Sequence, residues 1–255
     1  MREREHYSLA VLLFGVLLLG ASLPAPVYSN RAKEILDRID DLYRGQSAHG
    51  RMTMDVVTAH WTREMSLEFW NKGKDKSLIR IWAPAKEKGT ATLKSGNEIW
   101  NFLPKVKRII KIPSSMMGGS WMGSHFTNDD LVKESRMADD YDFSISFDGT
   151  RAGQEVVDIT CIPKPQAAVV WGKVVATVRT SDTIPLQVLF YDEDLKLSRT
   201  MIFSKVRKMQ DRVLPSVTRM VPADKPNEYT EITYHEIQFD RPLEDDLFSL
   251  QNLER

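Results

Sequence analysis

A single cysteine in 255 residues excludes an internal disulfide, so the fold must rest on its apolar core. Neither charge is in excess, with 35 Lys and Arg against 35 Asp and Glu. A neutral chain has no global field for capturing nucleic acid, and that class of partner is set aside. Catalytic signatures are missing as well: there is no nucleophile elbow, glycine-rich phosphate loop, HExxH or paired CxxC. His6, His49, His60, His125 and His235 never stand at metal-ligand spacing from one another. The expectation is a protein that is not an enzyme and holds no metal or cofactor. Cys161, in the alternating stretch VVDITCIP, reads as a small buried apolar residue.

Long apolar runs are equally scarce. The one present, LAVLLFGVLLLG at Leu9–Gly20, is too short for a comfortable membrane span. Small residues and prolines follow it, and Val27 and Ser29 suit positions minus three and minus one of a cleavage site. Residues 1–29 therefore read as a secretory signal peptide, the alternative being a retained anchor. Residues 30–255 are then one exported domain, most simply periplasmic and monomeric.

Asn30–Gly45 carries Ile35, Leu36, Ile39, Leu42 and Tyr43 at helical spacing, with Asn30 as cap and Gly45 as stop. Beyond it the period changes to two. Met52, Met54 and Val56 alternate with polar residues, as do Met65, Leu67 and Phe69. Turn signals fall at Asn71–Lys76, Lys94–Asn97 and Asp148–Thr150, and the alternation continues to YTEITYHEIQF. Such close spacing predicts a large antiparallel meander. Some strands are apolar on both faces: Ile99 and Leu103 oppose Trp100 and Phe102, and Leu78 and Trp82 oppose Ile79 and Ile81. A barrel with one face lining a cavity and a two-sheet sandwich both explain this pattern.

Three stretches carry the remaining information. DEDLKLS from Asp192 lacks the glycine and terminal glutamate of a calcium loop and sits where a hairpin turn belongs. MADDYDF, Met137–Phe143, reads as a solvated acidic loop. In PKVKRIIKI the cations Lys105, Lys107 and Lys111 alternate with apolar residues. They read as guards of an edge strand or as a basic rim for a lipid headgroup or acidic partner.

The stretch IPSSMMGGSWMGSHFTNDDL, Ile112–Leu131, is too rich in glycine for a buried helix and too apolar for a solvated loop. Its last part is simpler, since Thr127 or Asn128 can cap a short helix with Asp129 and Asp130 in its first turn. Together with WNFLPKVKRIIKIP before it and PLEDDLFSLQNL at the end of the chain, this stretch resembles the outer-membrane lipoprotein-sorting family, the LolA-like carriers. The resemblance implies a mainly β fold with helices (α+β). It would be an incomplete antiparallel β-barrel whose open side is covered by helices, with an apolar cavity between. It implies a carrier of lipoprotein acyl chains or a related lipid, with an inner-membrane lipid exporter and an outer-membrane acceptor as partners. A lipid- or lipoprotein-sensing module is the alternative. Met116, Met117, Trp121, Met122 and Phe126 are then expected in a mobile cover touching lipid, or in a plug packed into the core. Met52, Met54, Met65, Leu67, Phe69, Trp82, Trp100 and Phe102 are expected in the cavity wall or the helix-packing core.

If the leader is cleaved, N-terminal sequencing of exported protein begins near Asn30. Recovery of the full-length chain from the membrane fraction would show a retained anchor.

Overall fold

The computed structural model describes residues 25–133, 140–167 and 169–254. The expected signal peptide therefore lies mostly outside the described residues, as does the Met137–Asp139 part of the acidic stretch. No described helix is long and apolar enough to cross a membrane.

The first helix, α1, spans Ala25–Leu42, starting five residues before Asn30. Pro26 stands in its first turn, where a missing N–H costs nothing. Ala32 and Leu36 are buried, and Ile35, Ile39, Leu42 and Tyr43 pack against the main core. This is the stripe expected of an amphipathic helix.

Six strands follow: β1 Ser47–Val57, β2 Thr62–Lys72, β3 Lys76–Ala83, β4 Ala91–Ser95, β5 Glu98–Leu103 and β6 Arg108–Lys111. After a long connection come β7 Tyr141–Arg151, β8 Gln154–Pro163, β9 Lys173–Arg179 and β10 Ile184–Tyr191. The last three are β11 Leu197–Met209, β12 Arg212–Pro222 and β13 Tyr229–Phe239. All thirteen form one antiparallel sheet, not a two-sheet sandwich. Its order is β6-β5-β4-β3-β2-β1-β13-β12-β11-β10-β9-β8-β7. Two meanders thus meet at the β1–β13 ladder. The outer strands β6 and β7 are not paired with each other, so the sheet is an open barrel.

The expected hairpin turns at Asn71–Lys76 and Lys94–Asn97 are present. The third is displaced: β7 runs through Asp148–Thr150 and turns at Ala152–Gly153, where both residues have positive φ. Ala152–Gly153 supplies the tight twisted turn that an Asp-Gly pair inside the strand does not.

Inside the curve, Met52 and Met54 of β1 stand opposite Leu67 and Met65 of β2, and Val56 and Phe69 join them in the main core, as period two requires. Cys161 of β8 is fully buried there, and burial pushes its thiol up to about 12. A second cluster lies on the opposite face of β3–β5. Leu78, Leu93 and Phe102 pack there, with Trp70 and Trp100, against Leu243, Leu247, Phe248 and Leu253 near the C-terminus. The C-terminal segment includes a one-turn helix, α3, at Leu250–Leu253, capped by Ser249. Lys72 fastens the segment by donating to the Leu243 carbonyl and the Asp245 carboxylate, both at 2.7 Å. Two-faced hydrophobicity in β3–β5 thus reflects a short segment covering the outer surface.

Phe248 is 6% exposed. Phe248→Ala is expected to cost about 3–5 kcal/mol by leaving a cavity over Leu78 and Leu93. Urea melts of the two proteins measure the difference.

Candidate functional site

Since β6 and β7 are the two edges of one sheet, residues 112–140 must carry the chain from one edge to the other. The methionine- and glycine-rich stretch lies on this crossing. Short 3-10 turns occupy Ser114–Met116 and Trp121–Gly123, and α2 spans Asn128–Lys133.

The crossing folds back on itself. Trp121 donates its backbone N–H to the Phe126 carbonyl at 2.8 Å, and Ser120 and Thr127 form an isolated bridge. Met122 and Gly123 both have positive φ at the tip of this turn. Two successive left-handed residues favour glycine, and Met122, the first of them, adopts this conformation under constraint. The Asn128 side chain donates to the carbonyls of Met116 and Gly119 at 3.1 and 3.3 Å. Thr127 is the helix cap: its hydroxyl accepts from the Asp130 N–H at 3.2 Å, and Asp130 accepts from the Thr127 N–H at 2.6 Å.

The sheet holds the folded crossing at several points. The Trp121 indole donates to Thr92 of β4 at 3.1 Å, and Arg63 of β2 donates to the Met122 carbonyl. His125 uses its backbone and ring nitrogens on the Thr230 hydroxyl of β13, at 2.9 and 2.8 Å. Arg199 of β11 is 5% exposed and grips the Asp130 carboxylate with both terminal nitrogens, one at 2.8 Å. It also donates to the His125 carbonyl at 3.1 Å. Its guanidinium lies 4.2 Å from the Trp171 ring centroid and 4.5 Å from that of Phe190. A fork held between a carboxylate and two aromatic faces is a task for arginine that lysine cannot take over.

Beneath the crossing is a pocket of about 210 Å³. Met52, Phe69 and Ile79 form its wall on one half of the sheet, and Val174, Val188, Phe190, Met201 and Phe203 form it on the other. Ile232 and Tyr234 of β13 lie between. Helix α1 contributes Ile39 and Tyr43, and the crossing contributes Trp121, Phe126 and Leu131. Gly50 makes room for this wall: a Cβ there would stand 2.8 Å from the Phe69 ring and 2.4 Å from the Glu236 carbonyl. Phe69 in turn meets Tyr234 edge-on at 5.7 Å, and Tyr234 lies 5.1 Å from Tyr43. Polar groups gather around Asp40, Arg44, Asp129 and Asp130. Burial, and then the charge of Asp129, pushes the Tyr141 hydroxyl above the usual phenol range. Tyr141 therefore stays a neutral donor in the pocket wall.

Four of the expected residues line this pocket: Met52, Phe69, Trp121 and Phe126. Met54, Met65 and Leu67 are fully buried in the main core without reaching the lining. Met122 is partly buried against that core, and Met117 is half-buried. Two placements correct the expectation. Met116 is 55% exposed, because the Asn128 side chain holds that turn through the Met116 carbonyl and the methionine side chain is not needed for it. Trp82 is 49% exposed on the outer face, where Glu68 accepts from its indole at 2.6 Å. Trp100 and Phe102 belong to the outer cluster under the C-terminal segment. Trp121 is 2% exposed, and its indole is hydrogen-bonded to Thr92. Lys105 and Lys107 lie exposed in the turn before β6, an edge strand, and Lys111 pairs with Glu98.

Sequence reasoning missed Arg199, Trp171 and the α1 side chains Ile39 and Tyr43 as pocket partners. Arg199 did leave a trace: it shares the inward register of Met201 and Phe203, where a charge requires a buried partner.

Residues 73–255, well over half of the chain, match the model of a family described as uncharacterized-protein-like. The chain belongs to that family. No curated protein matches the sequence. Solved structures match the fold over most of the chain. An outer-membrane lipoprotein-sorting protein domain from Vibrio parahaemolyticus is 24% identical, with a TM-score of 0.77 over 89% of this chain and 100% of that one. A DUF1329 family protein from Desulfovibrio piger is 21% identical, with a TM-score of 0.79 over 89% and 99%. A LolA superfamily protein from Nitrosomonas europaea is 21% identical, with a TM-score of 0.74 over 87% and 98%. The LolA-like fold resemblance read from the sequence is thereby shown.

Trp121→Ala is expected to destabilise the protein by about 3–5 kcal/mol, as for a large buried aromatic side chain. A loss near 1 kcal/mol in denaturant melts would instead mark Trp121 as part of a loose cover.

Proposed function

We propose that this protein is a periplasmic carrier, exported by a cleaved leader at residues 1–29. Its single domain, residues 30–255, holds the acyl chains of a lipoprotein or a related lipid. The observation that supports this reading is the pocket itself, walled by aliphatic and aromatic side chains from both meanders, α1 and the crossing. Fold neighbours titled as lipoprotein-sorting and LolA superfamily proteins add to it.

An apolar cavity of about 150 Å³ already accepts a benzene-sized guest. The pocket here, at about 210 Å³, takes a portion of one acyl chain in its present shape. Complete occupancy then requires the walls to part. Each buried CH2 contributes roughly 0.8 kcal/mol, so a carrier that must also release its load gains from a wall that can move. The crossing is suited to that role. Its link to β11 is a polar clamp, Arg199 on Asp130 and the His125 carbonyl, while Trp121 and Phe126 are its apolar anchors in the core. Helix α1 and the crossing would together cover the open side, with Met117 and Met122 adapting to chains of different shape. Binding needs no catalytic group, and the carrier acts between a membrane donor and a membrane acceptor.

Val188 lines the pocket and is only partly buried in the present state. Val188→Phe should fill the pocket while leaving the denaturation midpoint nearly unchanged. Mass spectrometry of lipid extracted from the natively purified protein should find acyl lipid in the wild type and markedly less in Val188→Phe. Absence of copurified lipid, together with no binding of a fluorescent fatty acid by the wild type, would overturn the carrier reading.

A further inference from the structure

We propose that the loop end of the β2–β6 half of the sheet docks on an anionic lipid bilayer. Three features converge there. The β1–β2 turn ends in Trp61, 44% exposed; Trp82, 49% exposed, stands one residue before the end of β3; and the β5–β6 turn carries Val106, 59% exposed. Antiparallel pairing places all three at the same end of neighbouring strands.

The same loops are basic. Lys86 and Lys88 lie exposed between β3 and β4, and Lys105, Lys107 and Arg108 lie exposed around the β5–β6 turn. A Cβ on Gly89 would touch the Pro104 ring at 3.6 Å, so the two loops stand side by side. The acid within these loops, Glu87, is neutralised by Arg63 at 3.3 Å. Arg63 also lies 5.4 Å from the Trp61 ring, which ties the first turn to the second loop. Lys88 sits 5.7 Å from the Trp82 ring. Isolated apolar tips between flexible cations do not form a groove for a peptide or a helix. They match a headgroup layer, where tryptophan rings settle at the interface and lysines meet anionic phosphates. The rest of this end differs in charge. The β10–β11 turn presents Asp192, Glu193 and Asp194 beside Leu195, which an anionic surface would repel. Docking is thereby directed to one half of the mouth.

The test is cosedimentation with vesicles of phosphatidylcholine alone or with equal parts phosphatidylglycerol, the N-terminal segment being identical in every variant. Wild-type protein should bind the phosphatidylglycerol vesicles more tightly, and added salt should weaken that binding. Lys86→Glu with Lys105→Glu should lower affinity at least about tenfold. Trp82→Ala with Val106→Ser should lower it with less change in salt dependence. Lys196→Glu with Lys208→Glu makes the same charge change elsewhere and should leave binding nearly intact. Equal losses in the two charge-reversal variants, or equal binding to both vesicle types, would overturn the proposal. Fluorescent fatty-acid binding by the same variants should be unchanged, which separates docking from the pocket.

Discussion

An antiparallel sheet of thirteen strands that does not close has two bare edges, and here the chain itself must bridge them. Every other link between neighbouring strands is a short hairpin loop or the β8–β9 connection. Only the passage from β6 to β7 spans from edge to edge, so the seam and the crossing are one structural problem. Edge N–H and C=O groups invite pairing with other chains, and the two ends of this sheet blunt that risk differently. β6 is four residues long and flanked by cations. β7 is long, but it lies against α1, with Arg31 reaching Asp148.

The seam also decides where polarity can be buried. A crossing that enters a greasy concavity brings backbone groups with it, and each needs a partner. Arg63, Thr230 and Arg199 supply partners to its backbone from three different strands, and Thr92 on a fourth accepts from the Trp121 indole. The Arg199–Asp130 ion pair is well buried. Such a pair contributes little net stability against an apolar replacement, yet removing one member strands the other charge. It therefore acts chiefly on position, selecting one placement of the crossing over others of similar hydrophobic content.

Much of the architecture was legible because it is local. Period-two alternation marks β1 and β2 directly, and helical spacing marks α1 apart from its early start. Position within the sheet is a different matter. Met52, Met54, Met65, Leu67 and Phe69 obey one inward pattern, yet only Met52 and Phe69 reach the pocket. What separates them is where α1 and the crossing lie over the sheet, which no short window contains. Trp100 and Phe102 show the same limit. Their apolar face answers to Phe248 and Leu253, some 150 residues away along the chain. Trp82 carries no local mark distinguishing an exposed tryptophan from a buried one, since its neighbour Ile81 is buried and the alternation is the same.

The two faces of β3–β5 then explain each other. Inside, Ile79 and Thr92 meet the pocket and Trp121; outside, Leu78, Leu93 and Trp100 are shielded by the C-terminal segment. A sheet region packed on both sides resists bending, whereas β9–β11 have side chains over the pocket but no second cluster outside among the described residues. Any widening of the pocket is therefore easier through the Val174, Val188 and Phe203 wall than through the Phe69 and Ile79 wall. Arg199 sits on that half, at β11, and its hold on Asp130 joins this wall to the crossing. On the stiffer half the crossing stays fixed through Arg63, through Thr92 and through buried Trp121, so the two walls hold it in different ways.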